Sequence, residues 1–223
     1  MTTPEQLSAD IFTEQDADPD TLANLGPLRR LAGTWQSAEG ADINPKADGP
    51  EHRQYIEHAV FEPIDAQANG PQLLYGLRYH MHINTPEEDV TFHDQVGYWL
   101  WEPDTGLVMQ SLTIPRGQAV LASGHASPDD DRFVLTAERG RTDYGIVSTT
   151  FLEQAFQTDS YKIELTFSPD GSVSYVLETM LRVRGQPGVF NHRDTNRLVK
   201  IAEPEPNPLM RVLASKAAAN PKP

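Results

Sequence analysis

The 223-residue chain contains no cysteine. That absence removes disulfides, thiolate nucleophiles, and every zinc or iron–sulfur site built on sulfur ligands. Basic residues are also scarce: 18 Lys and Arg stand against 32 Asp and Glu, a formal charge of −14. Nucleic acid and anionic membrane surfaces reward clustered Lys and Arg, so neither is expected as a partner. No apolar run approaches the roughly 18 residues of a membrane span. Met1-Thr2-Thr3-Pro4-Glu5-Gln6 lacks the basic start and apolar stretch of a secretion signal, and a cytoplasmic protein is expected. There is no Gly-x-Ser-x-Gly elbow, no glycine-rich phosphate loop and no internal repeat, which disfavours a nucleophile-based hydrolase.

What the chain does have is alternation. From Trp35 to Ile201 apolar and polar residues exchange at period two, and turn signals divide the stretch into about ten strands. The clearest case is Tyr161, Ile163, Leu165 and Phe167, the turn Pro169-Asp170-Gly171, then Val173, Tyr175 and Leu177. The spacing predicts strands at 32–40, 52–62, 72–84, 90–102, 107–114, 118–126, 132–139, 144–151, 160–168, 172–184 and 190–201. Residues 41–50, with Pro45, Gly49 and Pro50, read as a loop. So many consecutive strands must close or stack, because open edges aggregate. The expected fold is all-β: a closed antiparallel barrel of about ten strands, of the lipocalin and fatty-acid-binding-protein type, wide enough for a ligand. Leu22, Leu25, Leu28 and Leu31, broken by Gly26-Pro27, predict a short helix packed across one barrel end. Residues 1–24 then form an acidic arm, 25–203 the barrel, and 204–223 a proline-rich linker with a short outer helix.

In a strand, parity sorts side chains into those facing the core and those facing water. His80-Met81-His82 followed by Glu87 has the spacing of a cupin metal motif, which would make a mononuclear metal enzyme. Parity opposes it, because Leu77, Tyr79, Met81 and Ile83 form the apolar face and leave His80 and His82 outside. His93 and Asp94 are adjacent, so they point to opposite faces and make no dyad; both faces there are partly apolar, and parity does not decide which residue points inward. His192 shares a face with Phe190, Asp194, Asn196 and Leu198, opposite a set holding Arg193 and Arg197, and is expected to point inward. It is then either a ligand or a structural partner of Asp194. Tyr75, Tyr79, Tyr161 and Tyr175 also fall inward and would supply hydroxyls to a fatty-acid-like ligand. The arginine such a carboxylate would want is missing from the inward sets, since Arg78 and Arg182 fall outside.

Three segments resemble the nitrobindin-like haem-binding β-barrel family, in its fatty-acid-binding-protein-like bacterial branch. They are Leu31-Ala32-Gly33-Thr34-Trp35, then His93-Asp94-Gln95-Val96-Gly97-Tyr98-Trp99, then Asn191-His192-Arg193-Asp194-Thr195-Asn196-Arg197-Leu198. Ser37 and Glu39 stand where the family's first motif carries later glycines. The resemblance covers roughly 25–203. It implies a ten-stranded barrel holding haem b, with cofactor contacts at Gly33, Trp35 and His192 and with His192 on the iron. Such proteins bind nitric oxide in the ferric form and isomerise peroxynitrite to nitrate. A non-enzymatic carrier of a small hydrophobic ligand is the alternative, and an exposed strand or the C-terminal helix offers a homodimer contact.

Overall fold

The fold is described from a computed structural model covering residues 10–87 and 89–219, with the side chains of Ala38 and Glu39 left aside. The first nine residues of the acidic arm, the last four of the tail and the Glu39 side chain therefore lie outside the described residues.

Twelve strands follow one another: β1 (Gly33–Lys46), β2 (Gly49–Pro63), β3 (Gln67–Asn69), β4 (Gln72–Asn84), β5 (Thr91–Glu102), β6 (Leu107–Ile114), β7 (Gln118–His125), β8 (Arg132–Arg139), β9 (Gly145–Ser148), β10 (Phe156–Phe167), β11 (Val173–Val183) and β12 (Phe190–Ala202). Hydrogen bonding runs β2-β1-β12-β11-β10-β8-β9-β7-β6-β5-β4, and β2 then pairs with β4 to shut the ring. β3 is a short addition on β4. Closure leaves no free edge along the wall, which is the physical reason a chain of this pattern curls rather than lying flat.

The barrel is mixed rather than purely antiparallel. β9 enters between β7 and β8, antiparallel to the first and parallel to the second. The predicted strand 144–151 ends at Ser148 because Thr149 caps a helix, α1 (Thr150–Ala155), accepting from the Leu152 N–H. The 41–50 loop is likewise replaced, by a hairpin in which Pro45 pairs with Pro50. β12 pairing reaches only Ile43 on β1, and β4 pairing reaches only Ile56 on β2. Both prolines therefore sit beyond the neighbouring strands, where a missing N–H costs the ladder nothing.

One end of the barrel is plugged. A four-residue helical turn (Thr21–Asn24) and a 3-10 helix (Gly26–Leu31) lay Leu25, Leu28 and Leu31 into the core at 0–1 % exposure. Trp35 packs with them and donates its indole N–H to the Leu31 carbonyl at 2.7 Å. Thr21 and Asn207 tie this plug to the chain's last segment, through the Thr21 N–H donating to the Asn207 side chain at 3.3 Å. The final helix, α2 (Pro208–Ala219), lies outside and buries none of its residues. Among the described residues no helix is long and apolar enough to cross a membrane.

Gly26 makes the plug's sharp entry. Its φ is +51°, and a Cβ there would lie 2.5 Å from the Trp101 ring. Gly26→Ala combines a left-handed backbone cost with overpacking, so a loss of about 2 kcal/mol or more is expected in urea unfolding. A change below about 0.5 kcal/mol would show that the plug does not depend on this contact.

Candidate functional site

At the end opposite the plug, His192 stands near the start of β12. Its Nε2–H donates to Asp42 Oδ1 at 2.9 Å, and its Nδ1 lies 3.1 Å from the Thr179 hydroxyl. Asp194 Oδ2 is 3.9 Å from the same Nε2. Asp42 comes from the part of β1 that the composition marks as loop, and Thr179 is the direct β11 neighbour of His192. Asp42, His192 and Asp194 form the one group of three or more His, Asp and Glu ligand atoms, all within 4.8 Å, found among the described residues.

The charges there are set by crowding. Burial pushes Asp194 up to about 7, and the neighbouring Asp42 adds to that. Burial works the same way on Asp42, but the hydrogen bond and charge of His192 outweigh it and hold that carboxyl below its usual range. His192 mirrors this: burial lowers it, and the Asp42 hydrogen bond with both carboxylates more than restores it, so it titrates above an ordinary histidine. His93, on the inner face of β5, is lowered by burial and by the nearby His192, and its Nε2 meets Gln95 Oε1 at 3.2 Å.

Deeper in the barrel the inward tyrosines face one another rather than an open lumen. Tyr175 donates to Glu57 Oε2 at 2.6 Å, and Tyr55 meets Tyr175 at 2.9 Å. Asn196 donates to the same Glu57 oxygen at 2.7 Å, and Ser37 donates to Asn196 Oδ1 at 2.5 Å. A second net joins Gln95 and Gln110 to the Tyr79 hydroxyl, with Tyr161 donating to Gln110. Tyr75 instead accepts the Asp18 N–H beside the plug. The hydroxyls that a lipid headgroup would need are thus taken up internally, while Arg78 and Arg182 are exposed on the outer face.

Glu57 is fully buried, and its Oε1 has no hydrogen-bond partner. Burial pushes this carboxyl up to about 7 against the Tyr175 and Asn196 bonds. Its signal was in the parity: Glu57 alternates with Tyr55, Ala59 and Phe61, all inward. Asp42 had no such signal.

The other expected residues are dispersed. Gly33 opens β1 at φ +125°, where a Cβ would lie 2.6 Å from the Ala202 carbonyl. Trp35 pairs with Lys200, eight residues along β12 from His192, or about 26 Å. The structure therefore separates Gly33 and Trp35 from His192 and puts them at the plug. His80 is on the outer wall with Asp94 at 3.0 Å, and His82 stacks on His58 at 4.9 Å between ring centres. Among the described residues neither has the third ligand that a cupin-type centre needs.

A plugged barrel with ionisable groups at its mouth has known counterparts. The family model described as THAP4-like, heme-binding beta-barrel domain matches residues 24–200. The chain belongs to this family. The nitrobindin-like resemblance in the sequence is the same relationship. Among solved structures, the crystal structure of Rv2717c from M. tuberculosis is similar, with a TM-score of 0.55 and 23 % identity over 83 % of this chain and 99 % of that one. At that identity the likeness shows the fold. No curated protein matches.

The donor chemistry fits the family's group. His192 keeps 28 % of its side chain exposed at the mouth. A carboxylate on one ring nitrogen is the usual partner of a metal-bound histidine. The other nitrogen is held only by Thr179, whose hydroxyl rotates freely.

The buried acid predicts a pH effect. A Glu57 pKa of about 7 folded against 4.5 unfolded means that the folded state holds the extra proton between those values. Its contribution is therefore complete below pH 4.5 and is lost as pH rises through 7. The loss amounts to about 3 kcal/mol. Glu57→Gln should flatten the fall in urea midpoint between pH 5 and 8. An unchanged slope would mean that Glu57 is ionised in the fold.

Proposed function

We propose that the barrel binds haem b at its open end with a His192 ring nitrogen on the iron. The observation that carries this is the His192–Asp42 hydrogen bond at the mouth of a heme-binding family barrel. Asp42 orients the imidazole and makes it more basic, and Thr179 holds the second nitrogen until the ligand displaces it. Asp42, held ionised by His192, places negative charge beside the ring, which favours a cationic ferric centre over a neutral one. The plug closes the far end of the barrel with large apolar side chains.

When bound, haem would supply the chemistry of nitric oxide binding and of isomerising peroxynitrite to nitrate, and His192 would be the residue that holds it. Around it this chain supplies His93, whose lowered pKa leaves its imidazole neutral near neutral pH and able to donate or accept one hydrogen bond. A cytoplasmic setting is consistent with the acidic chain that lacks cysteine.

Haem added to purified protein should produce a Soret band that saturates at one equivalent. His192→Ala should weaken binding by at least about tenfold and shift the band, and Asp42→Asn should weaken it by roughly tenfold. No Soret change with wild type would overturn the haem reading, and an identical titration with His192→Ala would overturn its axial role.

A further inference from the structure

Two apolar surfaces remain without a partner, and they complement each other. The first is a groove of about 940 Å3 on the outer wall, under the overhanging turn at 141–143. Strand register defines it. Val60 pairs with His80, His80 with Val96, Val96 with Thr113, Thr113 with Ala119, and Ala119 with Val147, a single row across six strands. Tyr98 and Leu121 flank the row. On an outward face these positions call for polar residues, yet Val96 is 45 %, Tyr98 43 % and Val147 71 % exposed. Each end carries a salt-bridged pair, Arg78 with Glu62 and Arg141 with Asp143, both at 2.6 Å.

The second surface is α2. Its start is pinned to the barrel: Asp65 accepts from the Leu209 N–H at 2.8 Å and from the Asn207 side chain at 2.7 Å. Beyond that pin the helix leaves the body, with Leu209, Val212 and Leu213 exposed. Twelve residues make a rod about 18 Å long, and helices this short are marginal without a packed face. A convex apolar rod and a concave apolar groove are the two halves of a helix-in-groove contact.

We propose that α2 of one copy docks in the outer-wall groove of a second copy, and reciprocally, giving a two-fold dimer. Charge supports this choice of occupant. The helix carries Arg211 and Lys216 and no carboxylate, whereas the whole chain carries −14, so a second copy attracts it, while Arg78 and Arg141 neutralise Glu62 and Asp143 at the groove ends. α2 contributes no residue to the groove of its own copy. Each protomer thus offers one helix and one groove, and a two-fold axis satisfies both pairs at once. The contact lies on the outer wall, away from His192, and stands or falls independently of haem.

Sedimentation velocity on the full chain tests it. Wild type should run as a dimer at high concentration, and salt should weaken it. Leu209→Glu/Leu213→Glu spoils the helix, Val96→Glu/Val147→Glu spoils the groove, and each variant should halve the mass while circular dichroism stays that of the wild type. Mixing the two variants should restore a 1:1 complex, weaker than wild type, through the one groove and one helix left intact. A wild-type monomer, including one whose helix lies in its own groove, overturns the proposal. So does a helix variant that stays dimeric, or a mixture that forms no complex. Because all four substitutions are on exposed positions, a groove variant that misfolds leaves the helix variant to decide the matter.

Discussion

The pairing of β2 with β4 is the constraint on which everything else rests. It joins the two ends of a sheet that would otherwise present long unpaired edges, and it turns one face of every strand inward. Once the ring is shut, inward polar groups pair within the wall, and among the described residues only Glu57 Oε1 and the Trp99 indole N–H are buried without a partner. The Ser37–Asn196–Glu57–Tyr175–Tyr55 chain and the Tyr79–Gln110–Tyr161 net are the result. Glu57, within that chain, answers the same pressure also by a pKa pushed up to about 7.

Closure also creates two unlike ends. The plug collects the large apolar groups, with Trp35, Trp101 and the three leucines shutting the barrel. The other end collects ionisable ones, because only near the mouth can Asp42, His192 and Asp194 keep partial access to water. Three such groups within 4.8 Å would repel or neutralise one another if sealed in the core. At the mouth they form an imidazole of raised basicity braced by carboxylate, the kind of donor a metal centre uses. Ser37 shows how this chain departs from the family's glycine pattern. Its hydroxyl is drawn into the buried network through Asn196, and a register shift follows it in β1.

Much of this was legible in period-two alternation. The β10–β11 hairpin follows it closely, and parity alone put His192 inside and His80 outside. Glu57 was legible too, as a lone acid in an apolar parity set. Asp42 was not, because Pro45, Gly49 and Pro50 make its neighbourhood look like a loop. That the prolines are harmless depends on where β12 and β4 stop pairing, which is a property of the whole ring. The helix at 150–155 begins in the last two residues of an apparent strand, and its N-cap, Thr149, is a residue type that suits a strand as well. The separation of Trp35 from His192 follows from the length of β12, and no local pattern states it.

In the proposed function, His192, braced by Asp42, is the donor through which the barrel would hold haem. A crystal structure of the haem-loaded protein tests it most directly. Porphyrin is expected at the open end, with a His192 ring nitrogen on the iron and the Asp42 carboxylate on the other nitrogen. Iron ligated by any other side chain, or porphyrin seated on the outer wall, would contradict it.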